Sequence, residues 1–249
     1  MKKIIDKIAG MCGNRLISSN DFEQMQCMDA DAGELFDLIL RSSIAEGHSK
    51  AQLKQDIIVL LATNFKKNGF FVEFGATNGI DLSNTYLLEK SYNWKGILAE
   101  PAKVWRNDLL KNRNVSIDFS CVWAESNDTV TFNMVDEAEL STIAQFNDRD
   151  QHAKARKNGV TYDVKTISLN DLLEKYNAPQ TIDYLSIDTE GSEFEILNNF
   201  DFSKHNISII TCEHNFTPDR EKIFKILSEN GYTRKFKGLS KWDDWYFKV

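Results

Sequence analysis

The chain has 249 residues, and 37 Asp plus Glu against 30 Lys plus Arg give it a net charge of -7, which excludes a basic nucleic-acid binder on bulk charge. An apolar share of 42% with only three prolines describes a folded globular protein, not a disordered, collagenous or mucin-like chain. The longest aliphatic run, Ile57 to Ala62, falls far short of the roughly 20 residues that a membrane-crossing helix needs.

The first ten residues, MKKIIDKIAG, carry the lysines of a signal n-region, but Asp6 and Lys7 interrupt the apolar stretch, so the segment reads as the start of a cytoplasmic protein. Glu34 to Glu46 and Lys50 to Phe65 place apolar residues at three- and four-residue spacing, so residues 1–68 are expected to form a helical region packing on the core. The polar stretch 12–33 between them and the first residues is irregular.

From Gly69 the pattern changes to short apolar runs, FFVEF (70–74), GILAE (96–100), VSIDFSCV (115–122), TIDYLSI (181–187) and ISIITC (207–212). Helical patterns at 82–91, 101–111, 191–199 and 218–230 follow four of them. Near-continuous apolar strands separated by helices predict a parallel sheet covered on both faces. TVTFNMV (129–135) reads as an antiparallel or hairpin strand, and GYTRKF with DWYFKV as a closing hairpin. A mostly parallel sheet ended by an antiparallel hairpin is the α/β layout of Rossmann-like class I methyltransferases, here over 69–249. Asn147 to Asn158 has no apolar face and is expected as an exposed excursion. Cys121 and Cys212 lie in apolar runs without metal-ligand spacing and read as buried, inert thiols.

The first strand leads into Glu73-Phe-Gly75-Ala76-Thr-Asn78-Gly79. In such sheets ligands sit beyond the carboxyl ends of the strands. The dinucleotide pattern G-x-G-x-x-G is absent, because Thr77 and Ile80 hold its second and third glycine positions. An E-x-G-x-x-x-G turn instead suits S-adenosyl-L-methionine, a cationic cofactor with no pyrophosphate. Glu100 closes the second strand, where a carboxylate can accept hydrogen bonds from both hydroxyls of an adenosyl ribose. The fourth strand ends in Asp188-Thr-Glu190-Gly-Ser-Glu193 and the fifth in Cys212-Glu213-His214-Asn215. Carboxylates crowded this closely raise a pKa or call for a cation, while His214 offers a base near neutral pH.

These segments resemble the FkbM family of S-adenosylmethionine-dependent methyltransferases, through FVEFGATNGIDLSNTYLLEK (71–90), WKGILAEP (94–101), TISLNDLLEKY (166–176), IDYLSIDTEGSEFEIL (182–197), CEHN (212–215) and WDDWYF (242–247). The resemblance implies methyl transfer to oxygen, commonly a hydroxyl on a sugar or glycan or on a secondary metabolite. Glu73, Gly75, Ala76, Asn78, Gly79, Glu100 and Asp188 are the expected cofactor set. Asp188 and His214 are the candidate base and substrate orienter, and Glu213 the orienter of His214. The window Asp118 to Val122 is expected near the adenine, and Ser83 and Asn84 support the glycine turn or cap the helix after it. Asp188 with Glu213 or Asn215 can also present oxygens to Mg²⁺; metal-free turnover is preferred, because His214 supplies a base without an ion. A Rossmann-like domain binding a nucleotide or partner without catalysis is a different reading, and an NAD-dependent sugar oxidoreductase a third. The acceptor is set by 1–68 and 136–162, which carry no recognisable motif.

Overall fold

The computed structural model describes Arg41 and residues 45–249. The chain divides into two compact units, Met1–His48 and Ser49–Val249. Of the first, only Arg41 and Ala45 to His48 are described, as helix running into a turn closed by the His48 N–H on the Ala45 carbonyl (3.0 Å). The expected helix over 34–46 and the polar stretch 12–33 therefore lie almost wholly outside the described residues.

The second unit begins at Ser49, ahead of the expected boundary at 68/69. The reason is helix α1 (Gln55–Ala62), shorter than the expected 50–65, whose residues from Gln55 to Leu61 are all buried. Gln55 Nε2 donates to Asp243 Oδ2 at 2.8 Å, and Lys66 pairs with Asp183 at 2.6 Å. This segment is thus part of the sheet's own packing.

Along the chain the strands are β1 (Phe70–Phe74), β2 (Lys95–Ala99), β3 (Ser116–Asp118), β4 (Cys121–Trp123), β5 (Thr129–Met134), β6 (Thr142–Ile143), β7 (Val160–Ser168), β8 (Thr181–Ile187), β9 (Asn206–Glu213), β10 (Tyr232–Lys235) and β11 (Asp243–Lys248). The helices after α1 are α2 (Tyr86–Tyr92), α3 (Arg106–Asn112), α4 (Leu169–Lys175), α5 (Glu193–Asn198), α6 (Asp219–Glu229) and α7 (Lys237–Ser240). A seven-stranded sheet has the order β10-β11-β9-β8-β1-β2-β3. Strands β3, β2, β1, β8 and β9 run parallel, β11 is antiparallel to β9, and β10 is antiparallel to β11. The inner strands bury both faces, with Val72, Ile97, Leu185 and Ile210 fully enclosed among the helices, so their sequences are mostly apolar on both faces, broken by buried polar residues such as Glu73 and Asp183. Strand order reverses between β1 and β8, and the crevice at their carboxyl ends is the ligand position of open α/β sheets.

Two expectations need correction, and one strand was not foreseen. The third apolar run is not one strand: β3 ends at Asp118, and after Phe119 and Ser120 the chain enters β4 of a separate four-stranded sheet, β4-β7-β5-β6. The expected antiparallel strand at 129–135 is β5, paired with β7, a strand the apolar pattern did not announce because most of its first half is exposed. The excursion 147–158 is not simply exposed. Arg156 within it has a side chain with no solvent contact.

Candidate active site

Gly75 leaves β1 at φ +75, a conformation that L side chains rarely adopt. A Cβ there would lie 1.9 Å from the Asp188 carbonyl oxygen. Only glycine lets the turn after β1 press against the tip of β8. Thr77 follows at φ 47, and its N–H donates to Glu100 Oε2 at 2.9 Å. Asn78 Oδ1 accepts from the N–H groups of Ile80 and Asp81, both at 2.9 Å, and Gly79 packs on Leu109 and Arg113. Asn78, Gly79 and the fully buried Ala76 shape the turn from behind, whereas Gly75 and Thr77 line a cavity of about 290 Å³.

Glu73 reaches the same cavity, but the chain itself supplies donors to both its oxygens. Asn84 N–H donates to Oε1 at 2.7 Å, while Ser83 Oγ at 3.0 Å and the Thr85 hydroxyl donate to Oε2. Arg113 stands 3.7 Å away and also bonds Glu89, the Gly79 carbonyl, Ser83 and Thr85. Glu73 thus orders the segment leading into α2. Ser83 and Asn84 serve that loop, and Asn84 Nδ2 reaches Ser186 at 2.9 Å, while its Oδ1 is buried with no protein partner.

Glu100 stands at the tip of β2. Its Oε1 accepts from Ala102 N–H at 2.8 Å and its Oε2 from Thr77 N–H, so each oxygen of this cavity-lining carboxyl keeps accepting capacity beyond those two bonds. Burial pushes its carboxyl up to about 7 against the pull of those two hydrogen bonds. In the adenine window, Cys121 and Val122 line the cavity, whereas Asp118 turns away to Lys175 (2.7 Å). Both predicted inert cysteines are buried and free, and burial raises the Cys121 thiol to about 12.

The tips of β8 and β9 bring Asp188, Glu190 and Glu213 together, with one oxygen of each within 4.8 Å of the others. Burial, then Glu193, raises the Asp188 carboxyl to about 7. Burial and Asp188 raise Glu213 well above the carboxylate range, and Glu213 Oε2 is enclosed without a partner. Glu190, at φ 59, is raised by burial and by Asp188 more than Arg156 lowers it. Glu193 does what a helix-starting residue does: its Oε1 accepts from Thr189 N–H, the Thr189 hydroxyl and Gly191 N–H ahead of α5.

His214 is the expectation the geometry corrects. Its Nδ1 accepts from Phe216 N–H at 3.0 Å and its Nε2 lies 3.1 Å from the Asp243 carbonyl oxygen, a set that fixes the Nε2–H tautomer. Burial lowers its pKa, and it does not line the cavity. With both nitrogens engaged, His214 anchors the turn after β9 to β11 and offers no lone pair to a substrate. Glu213 therefore has no base to orient there. It faces Asp188.

Two participants escaped the sequence reading. Arg156 donates from Nη2 to Glu190 Oε2 (2.7 Å), from Nη1 to Asp150 Oδ2 (2.9 Å), and from Nε to the Leu140 carbonyl (2.8 Å). It ties the loop 138–158 to the tip of β8, and nothing in a run of alternating charges marked it out. His152, from the same loop, lines the cavity opposite the strand tips, and Trp242 lines it from the segment before β11. Trp245 and Tyr246 are core residues.

Residues 73–234 match the family model described as the methyltransferase FkbM domain. No curated protein matches the chain in sequence. Similar solved structures include the O-methyltransferase from Bacillus cereus in complex with SAH, at 11% identity over 92% of this chain and 95% of that one, TM-score 0.41. Precorrin-6y C5,15-methyltransferase from Geobacter metallireducens is 12% identical over 78% and 87%, TM-score 0.41. The ribosomal protein L11 methylase from Lactobacillus delbrueckii subsp. bulgaricus is 10% identical over 78% and 77%, TM-score 0.40.

Proposed function

The chain belongs to the FkbM methyltransferase family, and from that premise we propose that it transfers a methyl group from S-adenosyl-L-methionine to a hydroxyl of a small-molecule or glycan acceptor. One observation carries the reading: the turn at Gly75 and the carboxylates of Glu100 and Asp188 line one cavity at the strand-order reversal. The residues suit this cofactor. Gly75 lets the turn press on the tip of β8 and line the cavity with backbone, Glu100 keeps lone pairs for two ribose hydroxyls, and the acidic lining favours a sulfonium. S-adenosylmethionine, when bound, supplies a methyl group already activated for displacement.

The chain's part is alignment and removal of the hydroxyl proton. Asp188, at the tip of β8 with its carboxyl near 7, is the base: it is partly ionised at neutral pH and strong enough to accept the proton as the new bond forms. No helix among the described residues is long and apolar enough to cross a membrane.

Titration calorimetry with S-adenosylhomocysteine tests the cofactor assignment. Wild type binds it and does not bind NAD, and Glu100→Ala weakens binding by about 1–3 kcal/mol, the cost of leaving hydrogen-bonding groups unpaired. Wild-type affinity in that variant removes Glu100 from the ribose. With a surrogate alcohol acceptor, Asp188→Asn keeps cofactor affinity while kcat falls on the order of 10²-fold or more. Loss of cofactor binding and stability together in Asp188→Asn would make the residue structural.

A further inference from the structure

A second cavity, of about 500 Å³, opens where the two sheets meet, between the end of β3, the start of α3, β7 and the end of α4. It shares one lining residue, Pro101, with the cavity already described. Its walls carry Lys103, Arg106, Lys165 and Lys175 against Asp118 and Asp163, a basic lining on a chain whose net charge is -7. Asp163 and Lys165 are alternate residues of β7, so both stand on its exposed face while Val164 between them is buried. The Arg106 guanidinium lies 4.3 Å over the Phe119 ring and Lys103 Nζ 4.0 Å over the Tyr162 ring. Among the described residues neither cation has a salt bridge. Lys165 Nζ gives one N–H to Thr129 Oγ1 (2.9 Å) and keeps two. Lys175 is paired with Asp118 at 2.7 Å. With that pair set aside, the three positive charges of Lys103, Arg106 and Lys165 less the one negative charge of Asp163 leave two uncompensated.

We propose that this cleft binds the phosphate group of a small ligand, with Arg106 as the anchor and Lys103 and Lys165 as flanking cations. A phosphate monoester carries about 1.5 to 2 negative charges near neutral pH, which matches the residual charge of the cleft. A guanidinium stacked on a ring keeps its edge N–H groups available to bond two oxygens at once, and the stacking holds it ready in place. The volume falls in the range of about 300–1,000 Å³ usual for small-molecule sites. S-adenosylmethionine does not account for this lining, because it has no phosphate and its sulfonium is a cation. The cleft is a second site, and it stands whether or not the chain transfers methyl groups. Tyr162 Oη accepts from Lys103 N–H (3.0 Å) and donates to the Pro101 carbonyl (3.3 Å), so the segment that presents Glu100 to one cavity presents Lys103 to the other.

Inorganic phosphate and glucose 6-phosphate, with glucose as the uncharged comparison, are titrated into the full chain by calorimetry at fixed ionic strength. Phosphate binds once per chain and glucose does not bind. Arg106→Gln weakens phosphate binding at least about tenfold, the loss of a charge-assisted contact, and Lys103→Gln acts in the same direction. Lys225→Gln, which removes an equal charge from an exposed position on α6, leaves the binding unchanged. Tighter binding of glucose 6-phosphate than of inorganic phosphate identifies a phosphorylated metabolite as the ligand, and equal or weaker binding identifies free phosphate. Absence of saturable phosphate binding by wild type, wild-type affinity in both Arg106→Gln and Lys103→Gln, or an equal loss in Lys225→Gln overturns the site. S-adenosylhomocysteine is then titrated into phosphate-saturated protein. Simultaneous binding keeps the two sites apart, whereas mutual exclusion places the phosphate in the cofactor cavity and overturns its assignment to the cleft.

Discussion

Replacing Arg156 by Leu is expected to lower stability by about 3–5 kcal/mol, because it strips the cation from two buried carboxylates, Asp150 and Glu190, and leaves them only the neutral donors His152 N–H and Asn215 Nδ2. The side chain of Arg156 has no solvent contact, and those of Asp150 and Glu190 are 3% and 8% exposed. The guanidinium also serves the Leu140 carbonyl, which loses its donor. At roughly 2–4 °C per kcal/mol for a chain of this size, Tm falls by on the order of 10 °C. The companion variant Arg156→Leu with Glu190→Gln recovers part of the loss, since one stranded charge is gone; the two sites share a bond, so their effects are not additive. A Tm within about 2 °C of wild type in the single variant would mean that Arg156 is solvated and the loop 138–158 is not tied to β8.

In metal-free buffer without cofactor, the protein is expected to lose stability as pH rises from about 6.5 to 8.5. Burial raises Glu100 and Asp188 to about 7 and Asp243 to about 8. Each holds its proton in the folded state at a pH where the unfolded chain has released it. The unfolded state thus binds fewer protons and the stability slope with pH is negative. The contribution of each group is complete below its unfolded pKa near 4 and is lost as pH passes the folded value. Over this range each amounts to about 1 kcal/mol, so Tm drops by roughly 5 °C or more. His214 acts in the opposite sense, being held neutral below its ordinary value by burial, but that contribution is felt only below about pH 6.5. Asp118, Glu89 and Asp244 are lowered, and lose their contribution at still more acid pH. A flat or rising Tm between pH 6.5 and 8.5 would show these carboxyls ionised in the apo protein.

What could be read in the sequence followed burial. β1, β2, β8 and β9 announce themselves because two buried faces make a strand largely apolar on both, and their carboxyl ends then locate Gly75, Glu100, Asp188 and Glu213. β7 was not announced, because its residues Val160, Thr161 and Asp163 are exposed and its apolar positions are diluted. The break at Phe119 and Ser120 was equally hidden: the apolar pattern runs on from Val115 to Trp123 while the chain changes sheets. Hydrogen bonding was the other limit. A histidine after a strand reads as a base until Phe216 N–H and the Asp243 carbonyl are found on its ring, and Arg156 reads as one surface charge among several until its carboxylates are found.

The four-stranded sheet departs and returns through one narrow neck. β4, entered two residues after β3, pairs in parallel with the end of β7 at Cys121–Thr166, Val122–Ile167 and Trp123–Ser168, and α4 follows at once. The two ends of the insertion are thus stapled to each other before the chain rejoins the main sheet. Everything between them, including Glu139, His152 and Arg156, extends from that neck and is held a second time at the tip of β8, where Arg156 and Thr142 both bond Glu190. The insertion is thus fixed at two points, its neck and the tip of β8, and a change within it that spares Arg156 and Thr142 leaves both fixings in place.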